Sequence, residues 1–460
     1  MSTSQLALDA LRKRFESVDD YTILRHCLGI ERISHIPNIA NGIANHTIVV
    51  CIDTEHWTLN SDEMTELGVG TIATQDVLAF SQPRNFGEHG ENLMRQAEFY
   101  LFRLKEKVHL KTSNAMSRGP LGNRFGQARF TSFSEMRTIL KNEFFVKPIV
   151  GQQNLPSHHH PIIVLGHALG HDTHHLNGKD LGFDVSTIGT IVRYIDTQEI
   201  AKLCDIWPET PDKIGLSKLA AKVGIQHTDP HTAANDAART MISAIMLAIP
   251  NAAKQNCRRL PEAVACDLET YTQTNFVSVG GDVNYCCKCA STAHIDENCP
   301  STGLSCTECV SRGLDARART HIALHCPIVR DEVRQERLRW FQDQRDRKPK
   351  DRFSSTNRLQ AFAPNAPIAT PASKEEVKAR RQHYSIQTGM NTPLIPFVWP
   401  GRFWWGSSDG GTGGWGRGSR RDLTGRGGGS GSTSTNRPRG NSRGSSRGRA
   451  PSSDPRGRRS

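Results

Sequence analysis

The sequence predicts an α/β domain, with a mixed β-sheet flanked by helices, followed by a small cysteine-rich module and a disordered tail. Three observations support this fold class. Apolar strand-like runs alternate with helical patterns between residues 41 and 252. Seven of the twelve cysteines lie between Cys286 and Cys326, and Pro, Ser, Gly and Arg dominate from residue 351. Strands interleaved with helices are typical of a sheet that is covered by helices.

The predicted elements follow this order along the chain. A short helical segment occupies residues 1–40, and the α/β domain occupies residues 41–252. Strands are predicted in "HTIVVCIDTEHW", "ELGVGTIAT", "HPIIVLGH" and "IGTIVRYIDTQ", and helices in "GENLMRQAEFYLFRLKEK", "GLSKLAAKVGI" and "TAANDAARTMISAIMLAI". The Gly-rich stretch 112–130 is predicted to be an exposed loop. Residues 253–283 show no clear period, which predicts a linker.

The C-terminal half is predicted to be modular. The cysteine-rich module occupies residues 284–327, and a charged helix is predicted at 328–350. Residues 351–460 are predicted to be disordered, because their composition cannot bury enough apolar area to offset chain entropy.

The positive charge of the chain is concentrated in its tail. Residues 401–460 hold thirteen Arg and three Asp, so this segment carries 13 − 3 = +10 of the net charge of +12. The remainder is close to neutral. A basic tail of this kind predicts an anionic partner.

The N-terminal stretch "MSTSQLALDALRKRF" lacks the apolar core and the cleavage site of a secretory signal. The apolar stretches, such as "MISAIMLAI", are shorter than a bilayer requires. We therefore expect an intracellular soluble protein, nuclear or cytoplasmic, that has no membrane partner.

Two carboxylates end the first predicted strand. Asp53 and Glu55 in "IDTE" are two residues apart, so their side chains project from one face. Like charges side by side resist burial unless a cation neutralises them. Taken alone, the pair favours a strand that has ended by Asp53, with both acids solvated.

Two further acids and a histidine occupy similar settings. Asp172 follows the strand "PIIVLGH", and His231 precedes Asp236 by five residues at the start of an apolar helix. Four carboxylates can hold the two divalent ions that two-metal phosphodiester hydrolysis requires. The unperturbed pKa of a histidine, about 6.5, suits His231 to act as the base.

These segments resemble the motifs of a known enzyme family. "IDTE", "GHALGHD" and "HTAANDA" are similar to the three exonuclease motifs of the DEDDh family, over roughly residues 45–250. The resemblance implies a ribonuclease H-like fold, two Mg²⁺ or Mn²⁺ ions and removal of nucleotides from 3′ ends of RNA or DNA. It implies these site residues: Asp53, Glu55, Asp172 and Asp236 as metal ligands, and His231 as the base. The segment "YIDTQEIAKL" and the helix "AANDAARTMISAIMLA" resemble a fungal branch that is linked to mRNA export.

The chain departs from the family pattern at three positions. Ala168 stands where the second motif commonly has Asn, His171 where it has Phe, and Thr232 where the third motif has Arg or Asn. These departures change the surroundings of the ligands rather than the ligands. Asp196, another acid at a strand end, is predicted to be structural.

The histidine-rich segment offers a competing metal site. His167, His171 and His175 are spaced four residues apart and would share one face of a helix, where they could hold zinc. Gly166 and Gly170 disfavour a continuous helix, so we favour a partly exposed junction between strand and helix.

The cysteine-rich module contains two metal-ligand frames. The spacing C-x2-C-x4-H-x4-C resembles a retroviral-type zinc knuckle, and the metal would supply the folding energy that so short a segment lacks. The ligands of this first frame are Cys286, Cys289, His294 and Cys299.

The second frame has a longer middle segment. Its predicted ligands are Cys306, Cys309, His321 and Cys326. His325 is an alternative fourth ligand, but both frames end in Cys-Pro with a histidine five residues before the cysteine, and this repeat favours Cys326. The module thus predicts one or two zinc ions.

Zinc knuckles generally bind single-stranded nucleic acid, and the tail resembles the Arg/Gly segments of RNA-binding proteins. The sequence therefore predicts a metal-dependent 3′-to-5′ exonuclease that acts on single-stranded nucleic acid, with RNA preferred over DNA. The alternative is a non-catalytic RNA-binding adaptor in mRNA processing or export that retains the fold.

Overall fold

The computed structural model describes residues 2–110, 121–206 and 213–328, except positions 154, 156 and 256, together with scattered positions between 331 and 342. The tail predicted at 351–460 and most of the charged helix predicted at 328–350 lie outside the described residues. Within the described part, the helices are too short or too polar to cross a bilayer.

Six strands form one mixed sheet in the order β4-β3-β2-β1-β5-β6. β2 is antiparallel to β1 and β3, and the other neighbouring pairs are parallel. The C-terminal ends of all strands except β2 therefore meet at one edge of the sheet. The strands are β1 (Ile48–Trp57), β2 (Asn60–Ala73), β3 (Glu98–Leu104), β4 (Gln127–Thr131), β5 (Ile162–Gly166) and β6 (Ile191–Asp196).

Helices cover both faces of the sheet, which confirms the predicted fold class, an α/β architecture consistent with a ribonuclease H-like fold. Along β1, Val49 and Cys51 belong to one core, and Val50 and Ile52 belong to the core on the opposite face. The helices are α1 (Thr3–Glu16), α2 (Asp20–Cys27), α3 (Asn38–Ala44), α4 (Thr74–Val77), α5 (Glu91–Met94), α6 (Phe133–Ile139), α7 (Gly170–Leu176), α8 (Thr197–Leu203), α9 (Leu216–Lys222), α10 (Ala233–Ala248), α11 (Asn251–Lys254), α12 (Pro261–Thr274), α13 (Thr307–Ser311) and α14 (Asp315–Ala318).

The N-terminal helices belong to the main core. Leu8, Leu11 and Phe15 of α1 are buried in the same cluster as α10, and all sixteen residues of α10 are buried. A helix that is buried on all sides carries apolar residues on every face, which explains why the run "MISAIMLAI" lacks a polar face.

Two predicted elements differ from the structure in the region before β5. The segment 90–107, predicted as a helix, forms the short α5 and the strand β3. Residues Phe99 to Leu104 are buried between the two helical layers, and burial on both faces favours an extended apolar strand over an amphipathic helix. The loop predicted at 112–130 ends earlier than expected, because β4 begins at Gln127. The first part of that loop, 112–120, lies outside the described residues.

The segment predicted as a linker at 253–283 contains the helix α12. Its buried residues Val264, Leu268 and Tyr271 recur at helical spacing and pack on the main core. Pro261 opens the helix, where a missing backbone N–H costs nothing. The helical period was thus present in the sequence but short and diluted by polar residues.

The start of α10 lies directly against β2 at Gly68. A Cβ atom on this glycine would lie 2.0 Å from the carbonyl oxygen of Ala233. Because that neighbour is backbone, it cannot move aside without shifting the helix. Gly68 therefore sets how closely the first turn of α10 approaches the sheet.

We expect Gly68→Ala to lower the free energy of unfolding by at least about 1–3 kcal/mol, the range for overpacking a tight contact. Urea unfolding followed by circular dichroism measures this change. Gly215→Ala is the matched control, because a Cβ atom at Gly215 has no neighbour within 4 Å. Equal stability of the two variants would contradict the assignment of a close approach at Gly68.

Candidate active site

The end of β1 carries two of the predicted site residues. Asp53 and Glu55 lie on the strand face that also carries Cys51, whose thiol donates to the carbonyl oxygen of Ala237 in α10, 3.3 Å away. Glu55 is buried, with 5% of its surface exposed. The Oδ2 atom of Asp53 is enclosed and has no hydrogen-bond partner among the described residues.

Asp172 reaches the same site from the first turn of α7. Its Oδ1 atom accepts hydrogen bonds from the backbone N–H and the hydroxyl of Thr54, both at 2.8 Å. The last pair of the β1–β5 ladder is Cys51 with Leu165. The backbone of Thr54 lies beyond this ladder, so its N–H is available to hold Asp172.

Asp236, in the first turn of α10, has hydrogen-bond partners for both carboxylate oxygens. Oδ2 accepts the backbone N–H of His231 at 3.1 Å, and Oδ1 lies 2.7 Å from Nε2 of His227. The carbonyl oxygen of Thr232 accepts the N–H groups of Asn235 and Asp236, which starts the helix at this point.

His231 lies over the carboxylates from the loop that precedes α10. Its backbone adopts φ +65°, a conformation that is uncommon for any residue except glycine. Its side chain is 42% exposed, and Nδ1 lies 3.5 Å from Oε1 of Glu55. One ligand atom each from Glu55, His231 and Asp236 lie within 4.8 Å of one another.

The carboxyl groups of the site hold protons more tightly than free acids do. Burial, with the nearby Asp236, raises the pKa of Glu55 to about 7, although the hydrogen bond with His231 opposes this shift. Burial likewise raises the pKa of Asp172 to about 7 against the two bonds from Thr54. The pKa of Asp53 is raised well above its ordinary value by burial and then by Asp172.

This charge distribution fits divalent cations. Several buried carboxyl groups hold their protons more tightly than free acids do. Within the described structure, no hydrogen-bond donor contacts the enclosed Oδ2 of Asp53. Carboxylate oxygens are the ligands that Mg²⁺ and Mn²⁺ prefer. A bound cation would offset the burial and the mutual repulsion that raise these pKa values.

A buried ion pair lies beneath the carboxylates. Arg103 of β3 donates to Oε1 of Glu66 at 3.0 Å, and both side chains are completely buried. Glu66 of β2 is paired in register with Glu55 of β1. Two residues further along β2, Gly68 lies directly against the backbone of Ala233 at the start of α10. The strand that carries Glu66 therefore contacts both elements that carry the site.

The three departures from the family motifs leave this arrangement in place. Ala168 adopts φ +60°, and the N–H groups of Ala168 and Leu169 donate to the two oxygens of Asp196. Asp196 also caps α8 by accepting the N–H of Gln198. These contacts agree with the structural role predicted for Asp196. His171 is exposed and Thr232 is buried.

The competing histidine site is not formed among the described residues. Nδ1 of His167 lies 2.8 Å from the hydroxyl of Thr197, whereas Nδ1 of His175 lies 2.8 Å from the hydroxyl of Thr54. His171 is on the surface. Because α7 begins only at Gly170, the three rings do not share one helical face.

Four residues that shape the site were not predicted from the sequence. They are Thr54, Glu66, Arg103 and His227. His227 lies four residues before His231 in a segment rich in His and Asp, and Arg103 interrupts an otherwise apolar run. The sequence pattern therefore marks both positions, although weakly. The contacts of Thr54 and Glu66 depend on strand register, which the sequence alone does not give.

Two Cys/His clusters lie in the C-terminal module. In each, four potential ligand atoms lie within 4.8 Å of one another. The buried core around the second cluster is small and consists largely of the cysteines themselves, which fits a fold that is held by a metal. The clusters are Cys286, Cys289, His294 and Cys299, and Cys306, Cys309, His321 and Cys326.

The alternative ligand of the second cluster, His325, has other neighbours. Its ring nitrogens lie 2.7 Å from the carbonyl oxygen of Cys287 and 3.0 Å from that of Lys105. In the first cluster, a backbone hydrogen bond from Ser301 lowers the pKa of the Cys299 thiol to about 6, which favours the thiolate form that zinc binds.

The sheet and the acids at its edge form an α/β domain that is consistent with a ribonuclease H-like fold. Residues 48–247 match the family model for DEDDh proteins described as "DNA polymerase III subunit epsilon-like, C-terminal domain". This match covers 200 of the 460 residues and supports a DEDDh exonuclease-like domain, a family whose nucleases use divalent metals. No curated protein matches the chain.

We expect Asp172→Asn to stabilise the metal-free protein at pH 8 but not at pH 4. The folded-state pKa of Asp172 is raised, so the stability that its protonated form provides is lost as the pH rises towards about 7. The amide carries no charge and its oxygen can still accept from Thr54. We expect the melting temperature at pH 8 to rise by about 3–6 °C.

Thermal unfolding in buffer without Mg²⁺ or Mn²⁺ tests this prediction. Asp205→Asn is the control, because Asp205 is exposed. A stabilisation by Asp172→Asn that is the same at pH 4 and pH 8 would show that the effect does not come from the buried charge.

Proposed function

We propose that the chain is a metal-dependent 3′-to-5′ exonuclease that acts on single-stranded nucleic acid, with RNA as the preferred substrate. The observation that carries this proposal is the meeting of four carboxyl groups at one sheet edge, where burial and mutual repulsion raise the pKa of three of them. Such a site is costly to fold unless it serves to bind cations.

The proposed ligands of two Mg²⁺ or Mn²⁺ ions are Asp53, Glu55, Asp172 and Asp236. Ions bound there would neutralise charge on the scissile phosphate and lower the pKa of the attacking water, which then gives up its proton more readily. Thr54 holds Asp172, and the backbone of His231 holds Asp236, so two of the four carboxylates have one oxygen fixed by a backbone donor. This fixation orients their second oxygens.

His231 is proposed to take the proton from the attacking water. Its side chain is partly exposed, so it can reach the substrate side of the site and return the proton to solvent. The hydrogen bond with Glu55 raises the pKa of His231. The base must begin neutral, so this role requires that Glu55 is neutralised when substrate is bound.

The zinc-binding module and the basic tail are proposed to hold RNA near the carboxylates. The two clusters would bind one Zn²⁺ each, and the Arg-rich tail would contribute salt-sensitive phosphate contacts and base stacking. This proposal extends to a nuclear or cytoplasmic location and to the fungal mRNA-export branch that the sequence resembles.

One feature favours the alternative, a non-catalytic RNA-binding adaptor. Both oxygens of Asp236 already have hydrogen-bond partners, and Nε2 of His227 holds Oδ1 at 2.7 Å. If His227 does not release this oxygen, Asp236 has a reduced capacity for a cation. RNA degradation separates the two functions, because an adaptor binds RNA without shortening it.

We expect the full chain with Mn²⁺ to shorten 5′-labelled single-stranded RNA stepwise from its 3′ end. Asp53→Asn should reduce the rate by at least about 100-fold, because it removes a ligand charge while preserving shape. Gel electrophoresis of the products measures both rates, and Asp205→Asn should retain full activity. An unshortened substrate, or equal shortening by Asp53→Asn, would exclude the enzymatic function and leave the adaptor.

We also expect the purified chain to contain two zinc ions, as measured by inductively coupled plasma mass spectrometry. Cys326→Ala should contain one, because it removes a thiolate from the second cluster. His325→Ala should keep both, since its ring faces two carbonyl oxygens instead. Loss of one ion from His325→Ala together with two ions in Cys326→Ala would make His325 the fourth ligand.

A further inference from the structure

His325 lies where the cysteine-rich module, residues 284–327, contacts the α/β domain, residues 41–252. Its side chain is buried, with 3% exposure. One ring nitrogen faces the carbonyl oxygen of Cys287 in the first zinc frame, and the other faces that of Lys105, directly after β3. The next residue, Cys326, belongs to the second cluster. One ring therefore connects both zinc frames to the end of β3.

The same surface is held by further contacts at the edge strand β4. Phe130 and Asp282 exchange two backbone hydrogen bonds of 2.8 Å, and Nζ of Lys105 lies 2.6 Å from Oδ2 of Asp282. The rings of Phe130 and Tyr285 stack with their centroids 5.9 Å apart. The module is thus fixed to the sheet rather than tethered by a free linker.

A continuous series of contacts leads from this surface to the carboxylates. Arg103 lies two residues before Lys105, and its buried guanidinium donates to Glu66. Glu66 is paired with Glu55 in the β1–β2 register. Gly68, two residues further along β2, lies against the backbone of Ala233 at the start of α10. A shift at the end of β3 would move Arg103 and, through Glu66, both elements that carry the site.

We propose that the second zinc site, through His325, is a positioning element for the carboxylate site. The inference depends on the proposed function in one respect, that the carboxylates bind a divalent cation. Zinc holds Cys326 in place, Cys326 fixes the adjacent His325, and His325 fixes the carbonyl of Lys105. Loss of this contact weakens cation binding at the carboxylates although no carboxylate is changed.

The test uses the full chain with both zinc ions present and measures Mn²⁺ binding by electron paramagnetic resonance. His325→Ala should bind Mn²⁺ about 10-fold more weakly than the unchanged chain. This is the lower end of the loss in metal affinity that follows when a residue that supports the metal ligands is removed. His325→Gln should recover part of this affinity, because its amide can donate to one carbonyl oxygen. Leu324→Ala is the control, since Leu324 is exposed in the same module.

Hydrogen exchange separates positioning from a general loss of stability. Amides of residues 103–105 should exchange faster in His325→Ala, whereas those of β5 and β6 should not change. If His325→Ala does not fold, Asp282→Ala, which breaks the ion pair with Lys105 at the same surface, should lower Mn²⁺ affinity in the same direction.

Three outcomes would overturn the inference. They are unchanged Mn²⁺ affinity in His325→Ala, equally faster exchange throughout the sheet, and no Mn²⁺ binding by the unchanged chain. The inference and the proposed catalysis fail separately. Weaker Mn²⁺ binding by His325→Ala in a chain that does not shorten RNA would support the positioning role and exclude the exonuclease.

Discussion

The arrangement of the site depends on one buried ion pair, between Arg103 and Glu66. Both side chains are fully excluded from solvent, and a buried pair of this kind contributes little net stability, because desolvation consumes most of the attraction. What it provides is a fixed position. Glu66 lies beside Glu55 in the sheet, and its strand contacts the start of α10 at Gly68, so the two elements that carry the acids share one support.

The charge of this pair also matters for the acids above it. Glu66 adds to the repulsion that raises the pKa of Asp53 and Glu55, whereas Arg103 is attracted to Glu55. Without the guanidinium, the sheet edge would hold five acids and no buried cation beneath them. The pair therefore limits the electrostatic cost of the site, while leaving enough negative charge to attract divalent cations.

The sequence predicted the sheet because its signals are local, and the prediction of the five site residues rests on signals of the same kind. Apolar runs mark β1 and β5, and acids at strand ends mark Asp53, Glu55 and Asp172. The sequence did not predict β3, because its run "EFYLFRL" also fits a helical pattern and only burial on both faces decides between them. It did not predict the Arg103–Glu66 pair either, since that contact follows from strand register, a property of two segments 37 residues apart.

The Cys/His clusters and the carboxylate site adjoin the same edge of the sheet, and their contributions to the folding energy are opposite. The second Cys/His cluster has a small apolar core, which fits a segment that takes folding energy from a bound metal. The carboxylate site draws on folding energy, because its acids are buried and repel one another. Because the cysteine-rich module packs beside β3, a rigid segment lies next to the carboxylate site, whose folding is costly. His325 lies between the second Cys/His cluster and the strand that carries Arg103. This position suits the proposed support of the carboxylate site by the module.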